Sequence, residues 1–292
     1  MKRSTARSAV IFAAIFVAVT SLGMLFPEVA ASRAATPQDG KPALPAPDSD
    51  GWIALFNGTD LSGWTLKNPN AKKTWVVCPK GVKLDPNDAT RLVRDDQGNS
   101  PQPVYLSGDD GRGSDLLTAH DFYDYELHLE FTVSKGSNSG VYNRGLYEIQ
   151  IFDSFGAKQL EFHDCGSLYE RARPKVNVAK APGEWQTFDI KMSGRQISLV
   201  WNGAQIYKDL DVRYGETDKA AFERLMGENA SQPPELQVKL EEKDGKYVGF
   251  FGNGGTRASL PGADRAGPIL LQGDHGPVAY RNIKIRPIKA AK

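Results

Sequence analysis

Tyr125-Glu126-Leu127-His128-Leu129-Glu130-Phe131-Thr132-Val133 alternates apolar and polar residues without a break. Side chains of an extended chain point to opposite faces with period two. The five apolar residues therefore share one face, and Glu126, His128, Glu130 and Thr132 share the other. This predicts a half-buried β-strand, with His128 beside two carboxylates as a solvated strand histidine. Gly136-Ser137-Asn138 follows, a tight turn region that would lay the next strand antiparallel beside this one.

That next stretch runs Asn138-Ser139-Gly140-Val141-Tyr142-Asn143-Arg144-Gly145-Leu146-Tyr147-Glu148-Ile149-Gln150-Ile151-Phe152-Asp153-Ser154. Tyr147, Ile149 and Ile151 fall on one side of an extended chain, with Tyr142, Arg144, Glu148 and Gln150 on the other. An aromatic, a guanidinium, a carboxylate and an amide in one row can hydrogen-bond to a sugar or stack on it. Asp153 lies at odd spacing from Glu148 and joins the row only through a bulge. The plainer reading is an exposed polar face with an Arg144–Glu148 ion pair.

Working outward, short strand patterns recur. Trp75–Val77, Val82–Leu84, Trp185–Met192, Gln196–Trp201 and Ala204–Tyr207 read as strands, with turn signals at Asn57-Gly58 and Asn202-Gly203. Asp85 to Gly113 reads as a long loop or several short strands. Leu236, Val238 and Leu240 alternate into Asp244-Gly245, with Val248 and Phe250 returning, a hairpin signature. One helix is predicted between Thr217 and Gly227, with Phe222, Leu225 and Met226 on one face. Val278 and Tyr280 share one parity and Ile283 and Ile285 the other, so a bulge is expected at Arg281-Asn282. Many short strands and a single short inserted helix predict an all-β sandwich or jelly roll.

The composition is globular and rich in turns, with a net charge of +1 and both signs interspersed. No basic field is available for nucleic acid or an anionic membrane. Lys2, Arg3 and Arg7 precede an apolar run from Ala9 to Phe26 and small residues at Ala30-Ala31-Ser32 and Ala34-Ala35. Residues 1–34 thus read as a signal peptide, and the mature chain is expected in the periplasm or outside the cell. An uncleaved anchor is the alternative. Residues 35–50, with four prolines, form a linker, and the folded domain spans 51–289. Cys78 and Cys165 are the two cysteines, either one disulfide or two separate buried thiols.

Several motifs run in order from about Gly51 to Pro287. They include Leu55-Phe56-Asn57-Gly58 with Leu61-Ser62-Gly63-Trp64, Asn138-Ser139-Gly140-Val141-Tyr142, and Tyr147 to Ser154. Cys165-Gly166-Ser167-Leu168-Tyr169, Pro182-Gly183-Glu184-Trp185-Gln186, Asn202-Gly203 and Gly267 to Arg286 complete the set. As an ordered set they resemble the family named for 3-keto-disaccharide hydrolysis, formerly a domain of unknown function. The resemblance implies a concanavalin A-like jelly roll, export, and a sugar or glycoside as substrate. The chain departs from the usual Leu-Gln-Asp-His-Gly by inserting Gly273 between Gln272 and Asp274.

A ketone at sugar C3 acidifies the C2 hydrogen and makes the C1 substituent a β-leaving group. Cleavage by proton abstraction, elimination and hydration needs a base, donors at the developing oxyanion and an acid. Glu148, Asp153 and His275 are the proton-transfer candidates, and Arg144 the clamp for the oxyanion or a hydroxyl. Asn138, Gln150 and Gln272 suit hydroxyl recognition, Tyr142 and Tyr169 stacking. Asp274 joins the binding set and can orient His275. The expected enzyme is a hydrolase or lyase acting on 3-keto sugars. The rivals are a retaining glycosidase using Glu148 and Asp153 and a lectin-like module without catalysis. No cofactor is expected. His128, Glu130, His163, Asp164 and His275 lack the spacing of a recognisable metal site, and a divalent metal is left open.

Overall fold

Period-two alternation recurs throughout the computed structural model, which describes residues 40–71, 75–108, 111–212, 214–217, 240–243, 246–250 and 266–288. The chain begins with β1 (Ile53–Ala54), β2 (Trp64–Leu66), β3 (Val76–Cys78), β4 (Val82–Asp85), β5 (Asp88–Arg94) and β6 (Val104–Leu106). It continues through β7 (Leu116–Thr118), β8 (Tyr125–Val133), β9 (Asn138–Asn143), β10 (Tyr147–Phe152), β11 (Gln186–Ser193) and β12 (Gln196–Trp201). It ends with β13 (Ala204–Asp211), β14 (Tyr214–Thr217), β15 (Leu240–Lys243), β16 (Lys246–Phe250), β17 (Leu270–Leu271) and β18 (Val278–Pro287).

Two antiparallel sheets make the sandwich. The larger runs β13-β12-β11-β8-β18-β6-β3, with β1 also on β18, and the smaller runs β10-β9-β17-β7-β2. Among the described residues the protein is all-β, as the alternation predicts. Strand β8 lies in the middle of the large sheet, and its Tyr125, Leu127, Leu129, Phe131 and Val133 are all buried. Facing them, Val141, Tyr147, Ile149 and Ile151 of the small sheet close the same core. Each such side chain contributes about 1.5–3 kcal/mol on burial, so this shared apolar seam fixes which face of β10 looks outward. Phe131 and Phe188 pack with ring centroids 4.6 Å apart, and Phe188 meets Trp201 edge-on.

The structure corrects one topological expectation. β8 and β9 do not pair. The Gly136 turn carries the chain from the large sheet to the small one, where β9 pairs with β10 and β17. The two apolar faces are better buried against each other than side by side. In β18 the register shifts between Arg281 and Lys284, the bulge expected from the change of parity, and Asn282 has φ +50°. There the Asn282 amide reaches Glu130 Oε1 at 2.9 Å and His128 Nε2 at 3.1 Å. His128 Nδ1 lies 2.6 Å from Asp189. Cys78 and Cys165 are separate buried thiols in different apolar clusters. The hairpin of β15 with β16 forms as expected. The export signal and the predicted helix lie outside the described residues, apart from Thr217, which ends β14.

Candidate functional site

The outward face of the small sheet carries the polar groups. Glu148 on β10 stands directly across from Tyr142 on β9, and Gln150 directly across from Gly140. The Gln272 N–H donates to the Gly140 carbonyl at 3.0 Å and continues that row beyond β17. Alternation from Leu117 and Thr65, which pair across β7 and β2, brings Asp115 and Lys67 onto the same face. The floor therefore reads Gln150, Gly140, Gln272, Asp115, Lys67 across the sheet. Asp115 accepts from Lys67 Nζ at 2.9 Å and from the Gly273 N–H at 3.1 Å. Gly273, the inserted glycine, fits because a Cβ there would lie 2.7 Å from Trp75 and from the Ser114 carbonyl.

Gly140 is the permissive position on this floor. A Cβ there would lie 2.1 Å from Glu148 Oε1, so only a hydrogen lets the carboxylate lie over β9. On the other side of β10 the loop returns as an extra edge. Gly166 N–H donates to the Gln150 carbonyl, Gln150 N–H to the Ser167 carbonyl, and Tyr169 N–H to the Glu148 carbonyl, at 2.8–3.0 Å. Glu148 and Gln150 are only 7% and 2% exposed although both point away from the apolar core.

Burial has an electrostatic consequence. It pushes the Glu148 carboxyl up to about 7, helped by the negative charges of Asp115 and Glu170. A hydrogen bond from the Tyr142 hydroxyl and the charge of Arg171 oppose the rise. Tyr142 is itself raised, by burial first and then by Glu148. Arg171 is buried, drawn down to about 10 by desolvation, and stands 5.4 Å over the Tyr147 ring.

Gln272 Nε2 donates to the Tyr142 hydroxyl at 3.4 Å, and Gln150 Nε2 donates to the His163 carbonyl at 3.0 Å. The amide oxygens of both glutamines are buried with no hydrogen-bond partner among the described residues, as are Ser167 Oγ and Asn138 Oδ1. Buried acceptors are normally satisfied, so these oxygens leave hydrogen-bonding capacity unused close to the row that holds Glu148.

Of the residues expected at the site, Glu148, Tyr142, Gln150, Gln272 and Tyr169 come together. Asn138 lies two pleats along β9, opposite Phe152, about 13 Å from the Glu148 position by strand rise. Asp274 and His275 sit beyond it, about half exposed, with His275 Nδ1 2.5 Å from Asp274 Oδ1. They line an open cleft of about 820 Å³ with Arg112, Lys135 and Ser137.

Two residues do not join the row. The strand ends at Asn143, so parity does not carry through to Arg144, which occupies the hairpin turn at φ +57°. Its guanidinium donates to the carbonyls of Tyr123 and Gly194, lies 3.7 Å from Asp124, and stacks on the Tyr123 ring. The β9–β10 ladder is unbroken from Tyr147 to Phe152, so no bulge swings Asp153 to the Glu148 side. Asp153 instead accepts the Gly136 N–H at 2.8 Å.

Sequence reasoning missed Asp115, Lys67 and Arg171. Asp115 carries a faint signal as a charged residue opening the apolar run Leu116-Leu117, whereas Arg171 sits in a loop without periodicity. Among the described residues no group of three or more His, Cys, Asp or Glu side chains converges as a metal site.

A family profile described as the 3-keto-alpha-glucoside-1,2-lyase-like domain matches residues 51–286. A 3-keto-disaccharide hydrolase from Bacteroides thetaiotaomicron is 31% identical over 96 residues, which is 32% of this chain and 28% of that protein. The match therefore spans less than a third of the relative's length. Among solved structures, two candidate glycosyl hydrolases from Parabacteroides distasonis align. One is 16% identical at a TM-score of 0.49, covering 82% of this chain and 95% of the other. The second is 21% identical at a TM-score of 0.47, covering 91% and 100%.

Proposed function

The chain belongs to the 3-keto-alpha-glucoside-1,2-lyase-like family, and from that premise we propose that it cleaves the glycosidic bond of 3-keto-glycosides with Glu148 as the base. The observation that carries this reading is a buried carboxyl held near 7, beside the Tyr142 hydroxyl and two orphaned amide oxygens. A group with that pKa is ionised in about half the molecules at neutral pH and still basic enough to take a proton from carbon next to a ketone.

In the proposed sequence Glu148 removes the C2 proton and the electron pair moves onto the C3 carbonyl oxygen as an enolate. Protonation of Glu148 removes its claim on the Tyr142 hydroxyl, which can then donate to that oxyanion. Collapse of the enolate expels the C1 oxygen, which takes the proton Glu148 has gained. Water then adds to the unsaturated sugar, so the sum is one glycoside plus one water giving a free 3-keto sugar and an alcohol. Gln150 and Gln272 accept from sugar hydroxyls, and Tyr169 flanks the ring. The charged and apolar N-terminus supports action after export.

Incubation with matched plain and 3-keto glycosides tests the proposal. Aglycone release from the keto form alone, with deuterium exchange at C2, is the expected result. Release from the plain sugar would instead favour a retaining glycosidase. Binding without release would favour a lectin-like module.

A further inference from the structure

Asp115 has no part in the proton transfers proposed above, yet it is a charged side chain only 5% exposed on the floor that carries Glu148. Leu116 and Leu271 pair across β7 and β17, and both point into the core. Their neighbours Asp115 and Gln272 therefore face outward side by side. A carboxylate this buried is costly unless its charge is met. Lys67 Nζ meets one oxygen at 2.9 Å and the Gly273 N–H the other at 3.1 Å. The lysine side chain is 62% exposed, so water screens the ammonium and it offsets only part of the Asp115 charge.

Two routes lead from Asp115 to Glu148. The first is bonded. The Gly273 N–H sits on Asp115, the preceding Gln272 amide donates to the Tyr142 hydroxyl at 3.4 Å, and that hydroxyl donates to Glu148. Gly273 is also fixed through its carbonyl, which accepts the Gly113 N–H at 3.0 Å. The second route is the field. The negative charge of Asp115 opposes ionisation of Glu148, of Tyr142 and of the buried Tyr280, three groups on or beneath the same row. On the far side of β10, Glu170 acts in the same sense and Arg171 in the opposite one. We propose that Asp115, held by Lys67 and Gly273, is a positioning residue for the reaction. It sets the acid–base balance of Glu148 across the sheet from β7 to β10, and Lys67 moderates it. This rests on Glu148 as the base.

Titration of the Glu148 carboxyl in the full chain tests it, followed by carbon-13 NMR of protein labelled at the glutamate carboxyls, with Glu148→Gln assigning the resonance. Asp115→Asn keeps an oxygen for the Gly273 N–H and removes the charge. Its Glu148 midpoint should fall by on the order of half a pH unit below the parent value of about 7. Lys67→Met removes the moderating ammonium from an exposed position, and its midpoint should rise. Opposite signs are what a field effect requires and what a loss of packing would not produce. Midpoints that stay at the parent value in both variants, or that move in the same direction, overturn the inference. Should Asp115→Asn fail to fold, Lys67→Met decides alone, and a midpoint that does not rise overturns it. The acidic limb of kcat/KM for a 3-keto-glycoside, measured in parallel, should follow the two midpoints. Absent turnover beside midpoints that part as expected would count against the proposed reaction and not against this role of Asp115.

Discussion

Tyr142 and Glu148 face each other across adjacent strands, and the phenol donates its hydrogen bond to the carboxylate. Burial raises the acid and the phenol restrains the rise, so the pair sets the pH at which the carboxyl ionises.

Glu148→Gln keeps the shape and removes the proposed base. Turnover of a 3-keto-glycoside should fall by about 10²–10⁴-fold, with sugar binding retained by calorimetry. Unchanged turnover would take Glu148 out of the mechanism. The same variant has a stability signature. A carboxyl raised from 4.5 to about 7 on folding stabilises the native state fully below pH 4.5. That contribution is lost as pH rises through about 7, because the folded chain then holds the extra proton no longer. The loss is at most about 3 kcal/mol. Glu148→Gln should flatten this decline in denaturant titrations run at acid and at neutral pH.

Tyr142→Phe removes the hydrogen bond that, together with the charge of Arg171, holds Glu148 down. The acidic limb of kcat/KM, expected near pH 7 in the parent, should move to higher pH. A limb that stays in place would separate Tyr142 from the ionisation of Glu148.

Gly140→Ala puts a methyl where the Glu148 carboxylate lies. The clash is with the end of a side chain, which can swing aside, so the melting temperature should change little. Misplacing a base by about 1 Å costs on the order of 10²-fold in rate. A large loss of stability with normal activity per folded molecule would contradict this.

Arg144→Ala should behave in the opposite way. It leaves the Tyr123 and Gly194 carbonyls and the Asp124 carboxylate without their guanidinium, in a place where that side chain has no exposure. The expected cost is about 3 kcal/mol of stability, visible in the chemical midpoint. KM and kcat per folded molecule should stay at parent values.

The fold was legible because burial on a pleated sheet leaves a direct trace in alternation. Tyr125–Val133 and Tyr147–Ile151 carry that trace, and the parity change around Arg281-Asn282 disclosed the bulge. Alternation reports which side a residue faces, not which strand lies next to it. It therefore missed the sheet change at Gly136. It also carried the Glu148 row one residue too far, across the end of β9, to Arg144. Glu148, Gln150 and Tyr142 were found because they lie on strands. Arg171 and the Asp115–Lys67 pair were not, since their places depend on how loops and distant strands come together.

Gly166–Tyr169 does more than shield Glu148. By hydrogen-bonding along β10 it also occupies the backbone groups of what would otherwise be the small sheet's open edge, and bare edges recruit strands from other molecules. Reshaping this loop would therefore endanger solubility first. Libraries built there should be sorted by size exclusion for variants that elute with the parent before any assay of activity.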